Sequence, residues 1–259
     1  FRRSVGNHSW ENARIFAEYG SVYKTFDSFH LEVEPGKIYE QEILGIVGEN
    51  GTGKSTFAKI LAGLMKPDEG SEFTKIHRYV SYKPQYITRN YTGTVKEFIM
   101  EYAQNYDFSD NMMQLLYSPL GVDRFLDTPI KDLSGGQLQR AFICTCLAKR
   151  AELYILDEPS AYLDVEERLN ISSVIRAVTK RQSATTIVIE HDLAIVDALS
   201  DRLFVFTGIP GEYGKTIGPL NKQDGMNTFL EILDITFRRD LDTGRARINK
   251  KGSSVDKRQ

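Results

Sequence analysis

The fold class of this 259-residue chain is indicated above all by one segment, Gly48-Glu49-Asn50-Gly51-Thr52-Gly53-Lys54-Ser55. It has the spacing G-x-x-x-x-G-K-[ST], in which glycines let backbone N–H groups wrap a phosphate and the lysine reaches the β- and γ-phosphates of a nucleotide. An apolar run precedes it and a helical pattern follows, which places it at a helix N-terminus. The alternative is a glycine-rich turn with a solvated lysine. We predict that the nucleotide-binding residues of this segment are Asn50, Gly51, Gly53, Lys54, Ser55 and Thr56, and that Ser55 also ligates Mg²⁺.

A pair of carboxylates ends a second apolar run, 103 residues after Lys54. Residues 153–156 read as a buried strand, and Asp157 and Glu158 follow directly. The strand places both carboxylates at the carboxyl edge of the sheet, where open α/β sheets bind ligands. We predict that Asp157 holds Mg²⁺ through water and that Glu158 polarises an attacking water. Apolar strands that end in Asp or Glu are common, so this pattern indicates a nucleotide site only in combination with the phosphate-binding loop.

A third motif, Leu133-Ser134-Gly135-Gly136-Gln137, precedes a helical pattern that runs to about Arg150. A serine and two glycines at a helix start form a second site suited to an anion, because the N-terminal N–H groups of a helix are free and its dipole is positive there. On its own the pentapeptide is equally compatible with a flexible loop and a serine cap.

The alternation of apolar runs and helical patterns predicts an α/β fold with a mainly parallel sheet. Buried strands are expected at 43–47, 76–82, 153–156, 186–189 and 203–206, with helices at about 53–64 and 165–181. Phe29-His30-Leu31-Glu32-Val33 alternates in polarity, as a half-exposed antiparallel strand does. Residues 88–150 read as a helical insertion, in which Thr94 and Glu97 form a capping box.

Composition indicates a globular chain: 41% of residues are apolar, 26% are charged, and the net charge is −2. These values argue against disorder, which requires low hydrophobicity and a large charge imbalance. No apolar run reaches membrane-spanning length and no signal peptide is evident, so we expect a cytoplasmic protein without membrane insertion. The only cysteines, Cys144 and Cys146, lack metal-site spacing and are expected to be buried small hydrophobes.

In this order the three motifs resemble the nucleotide-binding domain of ABC-type ATPases. The resemblance implies a P-loop NTPase fold of ABC type, with a mainly parallel core sheet, an antiparallel β subdomain and a helical subdomain at about 88–150. It implies that the domain binds ATP and Mg²⁺ and hydrolyses ATP. It also implies that Ser134, Gly135, Gly136 and Gln137 contact the γ-phosphate held by a second cassette.

Four more positions match motifs of that family. Gln85, in Ser81-Tyr82-Lys83-Pro84-Gln85, matches the glutamine near Mg²⁺ and the attacking water. Asp164 matches the conserved loop after the carboxylates, and His191 matches the histidine that contacts the γ-phosphate. Tyr19 matches by position the aromatic residue that stacks on adenine, with Tyr23 as its rival.

The details resemble one subfamily, the RNase L inhibitors, which are ribosome-recycling ATPases of archaea and eukaryotes. The match is closest to the second of that family's two cassettes. It implies an ABC domain over 1–221 and a hinge-like helix with a basic tail over 222–259. Residues 238–259 hold eight basic and three acidic residues, and Arg238, Arg239, Arg245 and Arg247 are the candidates for hinge or ribosomal RNA contacts.

The resemblance implies an ATP-driven clamp that splits ribosomal subunits. Its partners would be a second cassette, the ribosomal small subunit with its RNA, and a release factor. Two cysteines cannot ligate the two iron–sulfur clusters of that family, and one motif set is present, so we expect half of a two-cassette protein. The alternatives are the ATPase cassette of an ABC transporter and a nucleotide-dependent binding module that hydrolyses little ATP.

Overall fold

The computed structural model describes residue 10, residues 13–73, 79–103 and 109–233, and the backbone of 235–239 and 246–250. The strands are β1 (Ile15–Tyr19), β2 (Val22–Thr25), β3 (His30–Val33), β4 (Gly36–Tyr39), β5 (Ile43–Gly48), β6 (Val80–Lys83), β7 (Leu153–Asp157), β8 (Thr185–Ile189), β9 (Arg202–Ile209), β10 (Tyr213–Asn221), β11 (Ile235–Arg239) and β12 (Ala246–Lys250). The helices are α1 (Lys54–Leu61), α2 (Val95–Tyr102), α3 (Asp110–Met112), α4 (Gly135–Ala148), α5 (Val165–Gln182), α6 (Leu193–Leu199) and α7 (Lys222–Ile232).

An eight-stranded mixed sheet forms the centre of the molecule, in the order β2-β3-β10-β9-β5-β8-β7-β6. The five strands from β9 to β6 run parallel, whereas β2 pairs with β3 and β9 with β10 in antiparallel fashion. Strands β1 and β4 form a separate antiparallel pair. The predicted fold class, a parallel core with antiparallel strands beside it, is confirmed.

The sheet is buried on both faces, which explains why its strands read as unbroken apolar runs. Along β7, Leu153 and Ile155 pack in one hydrophobic cluster with α1, whereas Tyr154 and Leu156 pack in another with α4 and α5. This alternation follows from the two-residue period of a strand. Full burial of one such aliphatic side chain stabilises the fold by about 1.5–3 kcal/mol.

The region expected to be helical contains α2, α3 and α4, together with a π-helical turn (Met113–Tyr117) and two 3₁₀ turns (Val122–Phe125 and Ile130–Asp132). The Thr94–Glu97 capping box at the start of α2 is present as predicted. Helix α4 ends at Ala148, two residues before the expected end. Strand β6 begins at Val80, and residues 76–78 of the strand expected over 76–82 lie outside the described residues.

The chain after residue 221 contains a helix and a two-stranded ribbon. Helix α7 packs through Met226, Phe229 and Leu230 against Leu203 and Val205 of β9. Strands β11 and β12 pair antiparallel, so Arg238 and Arg247, expected in a basic tail, lie opposite each other in strands. Arg239 lies in the same ribbon. Arg245 and residues 251–259 lie outside the described residues.

Within the described ranges, no helix combines the length and the apolar character that crossing a bilayer requires.

The topology brings four strand ends together. Strands β5, β8, β7 and β6 are neighbours and run parallel, so their carboxyl ends meet at one edge of the sheet. The phosphate-binding loop follows β5, His191 follows β8, Glu158 follows β7, and Gln85 follows β6. This edge is the place where open parallel sheets bind their ligands.

Candidate nucleotide site

The phosphate-binding loop is a tight turn built on glycine. Gly51 and Gly53 have φ angles of 78° and 97°, in the left-handed region that glycine adopts at no steric cost. A Cβ atom on Gly53 would lie 2.8 Å from Cδ1 of Leu31, so a larger residue there would push the Leu31 side chain aside. The backbone of the loop therefore has both the shape and the close packing that the sequence motif predicts.

Lys54 is nearly buried at the centre of this loop. Its Nζ donates hydrogen bonds to the carbonyl oxygens of Gly48 (2.9 Å) and Glu49 (2.7 Å). Burial lowers the pKa of Lys54 to about 8, against the opposing effect of the nearby Glu158 and Asp157 carboxylates. Below that pH the loop holds a positive charge beside two carboxylates.

Asp157 has a buried carboxylate oxygen of the kind that a magnesium site requires. Asp157 is only 1% exposed, and its Oδ1 is buried without a hydrogen-bond partner in the described part of the chain. Burial raises the pKa of Asp157, whereas a hydrogen bond from the Ser55 side chain lowers it. A buried carboxylate oxygen with free lone pairs beside a hydroxyl suits a hard divalent cation, which prefers oxygen ligands. Ser55 and Asp157 therefore fit Mg²⁺.

The three predicted catalytic residues meet at the carboxylate of Glu158. Gln85 Nε2 donates a 2.8 Å hydrogen bond to Glu158 Oε1, and His191 Nε2 lies 2.9 Å from the same oxygen. Glu158 has a φ of 48°, an uncommon conformation for a residue other than glycine. The turn after β7 thus directs the carboxylate toward residues that follow the two flanking strands.

Glu190 holds the loops after β7 and β8 together. The side chain is almost fully buried, and its two oxygens accept hydrogen bonds from Ser160 N (2.8 Å) and His191 N (3.1 Å). Burial raises the pKa of this carboxyl, while the hydrogen bonds to Ser160 lower it. No sequence motif singles out Glu190, although it lies next to His191 at the end of an apolar strand.

The serine–glycine motif lies at the start of α4, away from the phosphate-binding loop. Ser134 caps the helix: its hydroxyl accepts from Gln137 N (3.2 Å), and its own N–H donates to Gln137 Oε1 (2.9 Å). Cβ atoms on Gly135 and Gly136 would have Tyr162 of the same chain as their nearest neighbour, at 3.8 and 3.3 Å. This arrangement leaves the motif at the surface beside the loop that carries Tyr162.

Asp164 caps the next helix in the same manner. Its Oδ1 accepts a 2.8 Å hydrogen bond from Glu167 N at the start of α5. The contact that the structure describes for Asp164 is therefore this local cap of α5.

The stacking role predicted for Tyr19 is contradicted by its burial. Tyr19 is 4% exposed, and its ring lies 5.7 Å from the ring of Phe57 and 6.4 Å from that of Phe73. Desolvation raises the pKa of its hydroxyl far above the usual value. A ring enclosed in the core has no face free for adenine. The rival Tyr23 is partly buried and stacks on His30 at 6.4 Å.

Phe26 is an exposed aromatic residue near the phosphate-binding loop that the sequence analysis missed. It is 43% exposed in the turn between β2 and β3, and its N–H donates to Phe29 O (2.8 Å). The Phe29 ring lies against the loop, because a Cβ on Gly53 would be 3.1 Å from its Cζ. The sequence signal that could have identified Phe26 is the turn before the alternating strand, because a turn exposes the aromatic residue that it carries.

These elements define a nucleotide-binding cassette of the ABC class. The phosphate-binding loop, the paired carboxylates, Gln85 and His191 share one sheet edge, and the serine–glycine helix lies in the helical region. A model of the ABC transporter family matches residues 34–161, which include both the loop and the carboxylates.

Comparison with known proteins gives the subfamily. An ABC transporter ATP-binding protein of Methanocaldococcus jannaschii is 47% identical over 95% of this chain and 41% of its own length. Translation initiation factor RLI1 of Saccharomyces cerevisiae is 41% identical over 95% of the chain and 40% of its own length. ABC transporter E family member 3 of Arabidopsis thaliana is 38% identical over 59% of the chain and 86% of its own length. The chain belongs to the E family of ABC proteins, the family of the RNase L inhibitors.

Solved structures agree with this assignment. A structure named RNase-L Inhibitor superposes with a TM-score of 0.87 at 46% identity, covering 95% of this chain and 47% of that one. A structure described as ribosome-bound archaeal Pelota and ABCE1 has a TM-score of 0.90 at 44% identity, covering 99% of this chain and 43% of that one. The chain thus spans about two fifths of the length of the first curated relatives that it matches.

Proposed function

We propose that this cassette binds MgATP and hydrolyses it to ADP and phosphate. The observation that carries the proposal is the Glu158 carboxylate, held by Gln85 at 2.8 Å and His191 at 2.9 Å on the sheet edge that also carries Lys54. A carboxylate fixed by two side chains suits the orientation of an attacking water. Little covalent chemistry is required of the protein, so positioning and charge stabilisation supply most of the rate.

Each residue of the site has a distinct task in this proposal. Lys54 and the loop N–H groups hold the β- and γ-phosphates, and Ser55 and Asp157 hold Mg²⁺, which neutralises phosphate charge when bound. Glu158 orients the water and accepts its proton at the carboxylate. Gln85 and His191 keep that carboxylate in place. Asn50, Gly51, Gly53 and Thr56 belong to the same phosphate-binding segment.

Full activity requires a second cassette in this proposal. Ser134 and Gln137 cap α4 through each other, and the atoms nearest to a Cβ on Gly135 or Gly136 belong to Tyr162, Leu163 and Glu167 rather than to the phosphate-binding loop. Together with Asp164, the four motif residues serve the γ-phosphate of a partner cassette. Hydrolysis by this chain alone is therefore slow and rises with protein concentration. Vigorous turnover by a clean monomer, independent of concentration, would remove the partner requirement.

In the longer protein, the cassette forms one half of an ATP-driven clamp that splits ribosomal subunits in the cytoplasm. The support is the close similarity to a relative named as a translation initiation factor and to a structure described as ribosome-bound Pelota and ABCE1. The small subunit with its RNA and a release factor are the expected partners. Co-sedimentation of the longer protein with small subunits tests this assignment, and association with a membrane protein instead would favour the transporter alternative.

The direct test of hydrolysis is Glu158→Gln, which keeps the shape of the side chain and removes its basic oxygen. We expect ATP binding to remain within about threefold and single-turnover hydrolysis to fall by about 10²–10⁴-fold. Glu69→Gln, at an exposed site, is the matched control and retains the wild-type rate. An unchanged rate in Glu158→Gln would show that Glu158 is not the base. Absence of single-turnover hydrolysis in the wild type with its partner cassette would favour the binding-module alternative.

A further inference from the structure

Lys83, the last residue of β6, is a lysine enclosed in the core. It is only 1% exposed and is among the largest fully buried side chains of the described residues. Lysine is almost never fully buried unless its ammonium group is paired. Its Nζ donates hydrogen bonds to the carbonyl oxygens of Asp157 (2.8 Å) and Glu158 (3.4 Å). Within the described ranges it forms no ion pair with a carboxylate, so its bonds go to the backbone of the catalytic turn.

A second buried side chain, on a different element, binds the same turn. Gln139 of α4 is 1% exposed, and its Nε2 donates to Glu158 O (2.7 Å) and Pro159 O (3.0 Å). The Glu158 carbonyl therefore accepts hydrogen bonds from both Lys83 and Gln139. Three consecutive carbonyl oxygens, those of Asp157, Glu158 and Pro159, are fixed by side chains of two other elements.

The turn that these side chains hold is conformationally uncommon. Glu158 has a φ of 48°, which a residue with a Cβ atom adopts only where the surrounding structure imposes it. The direction of the Glu158 side chain follows from this backbone conformation. Lys83 also lies two residues before Gln85, so the segment that fixes the Glu158 backbone also carries the amide that donates to the Glu158 carboxylate.

We propose that Lys83 is a positioning residue for ATP hydrolysis: by holding the carbonyl oxygens of Asp157 and Glu158, it fixes the turn that places the Glu158 carboxylate against Gln85 and His191. The proposal rests on the hydrolysis proposed above. A displacement of about 1 Å at a reacting group is enough to cost about 10²-fold in rate. Lys83 lies outside the phosphate-binding loop, and Asp157 is also held by its strand pairing with Ile189. The loss therefore falls on the chemical step, at Glu158, and leaves nucleotide affinity unchanged.

The test compares Lys83→Met, which keeps the length and loses the donors, with the exposed control Lys66→Met. We measure ATP affinity, single-turnover hydrolysis with the partner cassette, and thermal unfolding. Lys83→Met is expected to bind ATP within about threefold of the wild type and to hydrolyse it about 30–100-fold more slowly. Lys83→Arg, which keeps the charge and the donors, is expected to recover part of this loss. A lowered melting temperature with an unchanged rate per folded molecule would overturn the proposal.

A double-variant cycle separates this inference from the function on which it rests. If Lys83 acts through Glu158, then Lys83→Met adds less than about threefold to the loss already caused by Glu158→Gln. Independent, multiplicative losses would overturn the positioning role. If Lys83→Met does not fold, Gln139→Met tests the same turn and should slow hydrolysis without weakening ATP binding. A wild type without hydrolysis overturns both proposals, whereas a normal rate in Lys83→Met and Gln139→Met overturns this one alone.

Discussion

Glu158 Oε1 lies 2.9 Å from Nε2 of His191, although the two residues follow different strands. The contact exists because β7 and β8 are parallel neighbours that end at the same edge, with Asp157 paired to Ile189 in register. The buried Glu190 carboxylate then fixes the backbone N–H of His191 at 3.1 Å. The carboxylate and the imidazole are therefore held together by sheet register and by a hydrogen bond within the core.

We predict that His191→Ala lowers the single-turnover rate by about 10²-fold, because it releases the Glu158 carboxylate. ATP affinity should change by less than about fivefold, because the phosphate-binding loop is not altered. Stopped-flow phosphate release and equilibrium binding measure the two quantities. His191→Gln keeps a donor and should retain more activity than His191→Ala. Equal loss of affinity and rate in His191→Ala would instead assign the histidine to ground-state binding.

We expect Lys54 to contribute strongly to nucleotide affinity. Its ammonium group lies inside the loop, 2.9 Å from Gly48 O and 2.7 Å from Glu49 O, where it can bind phosphate oxygens. We predict that Lys54→Met weakens ATP binding by about 10²-fold, since charge-assisted hydrogen bonds are the strong ones. Lys59→Met, an exposed change on the same helix α1, should bind ATP as the wild type does. Comparable binding by both variants would show that Lys54 does not contact the phosphates.

The proposed metal site makes Asp157 the residue that should determine how strongly ATP binding depends on Mg²⁺. We predict that Mg²⁺ tightens ATP binding to the wild type but not to Asp157→Asn, because the variant replaces a buried, unpaired carboxylate oxygen by a neutral amide. Titrations with ATP in excess Mg²⁺ and in EDTA give, for each protein, the ratio of the ATP affinity with the metal to the affinity without it. Asp127→Asn, at an exposed position, should keep the wild-type ratio. A wild-type ratio in Asp157→Asn would place the metal elsewhere.

Phe26 is the aromatic residue best placed to stack on adenine. We predict that Phe26→Ala weakens ATP binding by about tenfold, since stacking of one base on an aromatic ring contributes about 1–3 kcal/mol. Inorganic triphosphate, which lacks a base, should bind both proteins equally. Tyr19→Leu is the control, because Tyr19 lies in the core and loss of its ring should leave the ATP affinity of the folded protein unchanged. Weaker ATP binding by Tyr19→Leu, with unchanged ATP binding by Phe26→Ala, would instead assign the stacking to Tyr19.

The sequence predicts the residues of the site wherever a short motif adjoins a strand. Gly48 to Ser55, Asp157, Glu158 and His191 each follow an apolar run, and parallel neighbours must end at a common edge. The order of the strands cannot be predicted from such local patterns. Strand β10 lies between β3 and β9, and its pairing with β3 joins residues about 180 positions apart in sequence, such as Tyr213 and His30.

Side-chain direction also escaped the sequence patterns. Tyr19 lies at the end of a strand, where one residue of register decides between the core and the surface. Lys83 belongs to the segment that ends at Gln85, whereas Gln139 lies outside every motif; the two side chains donate to carbonyl oxygens 74 and 19 residues away. Long-range contacts between side chains and backbone leave no periodic signal, so the positioning of the catalytic turn becomes visible only in the structure.

Glu42 makes the stability of the cassette depend on pH. Its carboxylate is fully buried, accepts from Tyr39 N at 2.7 Å and lies 3.3 Å from Arg202. Burial raises its pKa from 4.5 to about 7, although Arg202 opposes the shift. The folded state therefore binds this proton more tightly than the unfolded state. The stabilisation is present in full below pH 4.5 and is lost as the pH rises through 7.

We predict that the free energy of unfolding of the wild type falls between pH 5 and pH 8 by up to about 3 kcal/mol relative to Glu42→Gln, which has no proton to release. Urea unfolding across this pH range measures the free energy of unfolding of both proteins. The titration of all other groups contributes to both and cancels in the difference. Glu34→Gln, an exposed carboxylate in the same part of the chain, should follow the wild-type pH dependence. Parallel curves for the wild type and Glu42→Gln would show that Arg202 keeps Glu42 ionised throughout, and that the buried pair does not couple protonation to folding.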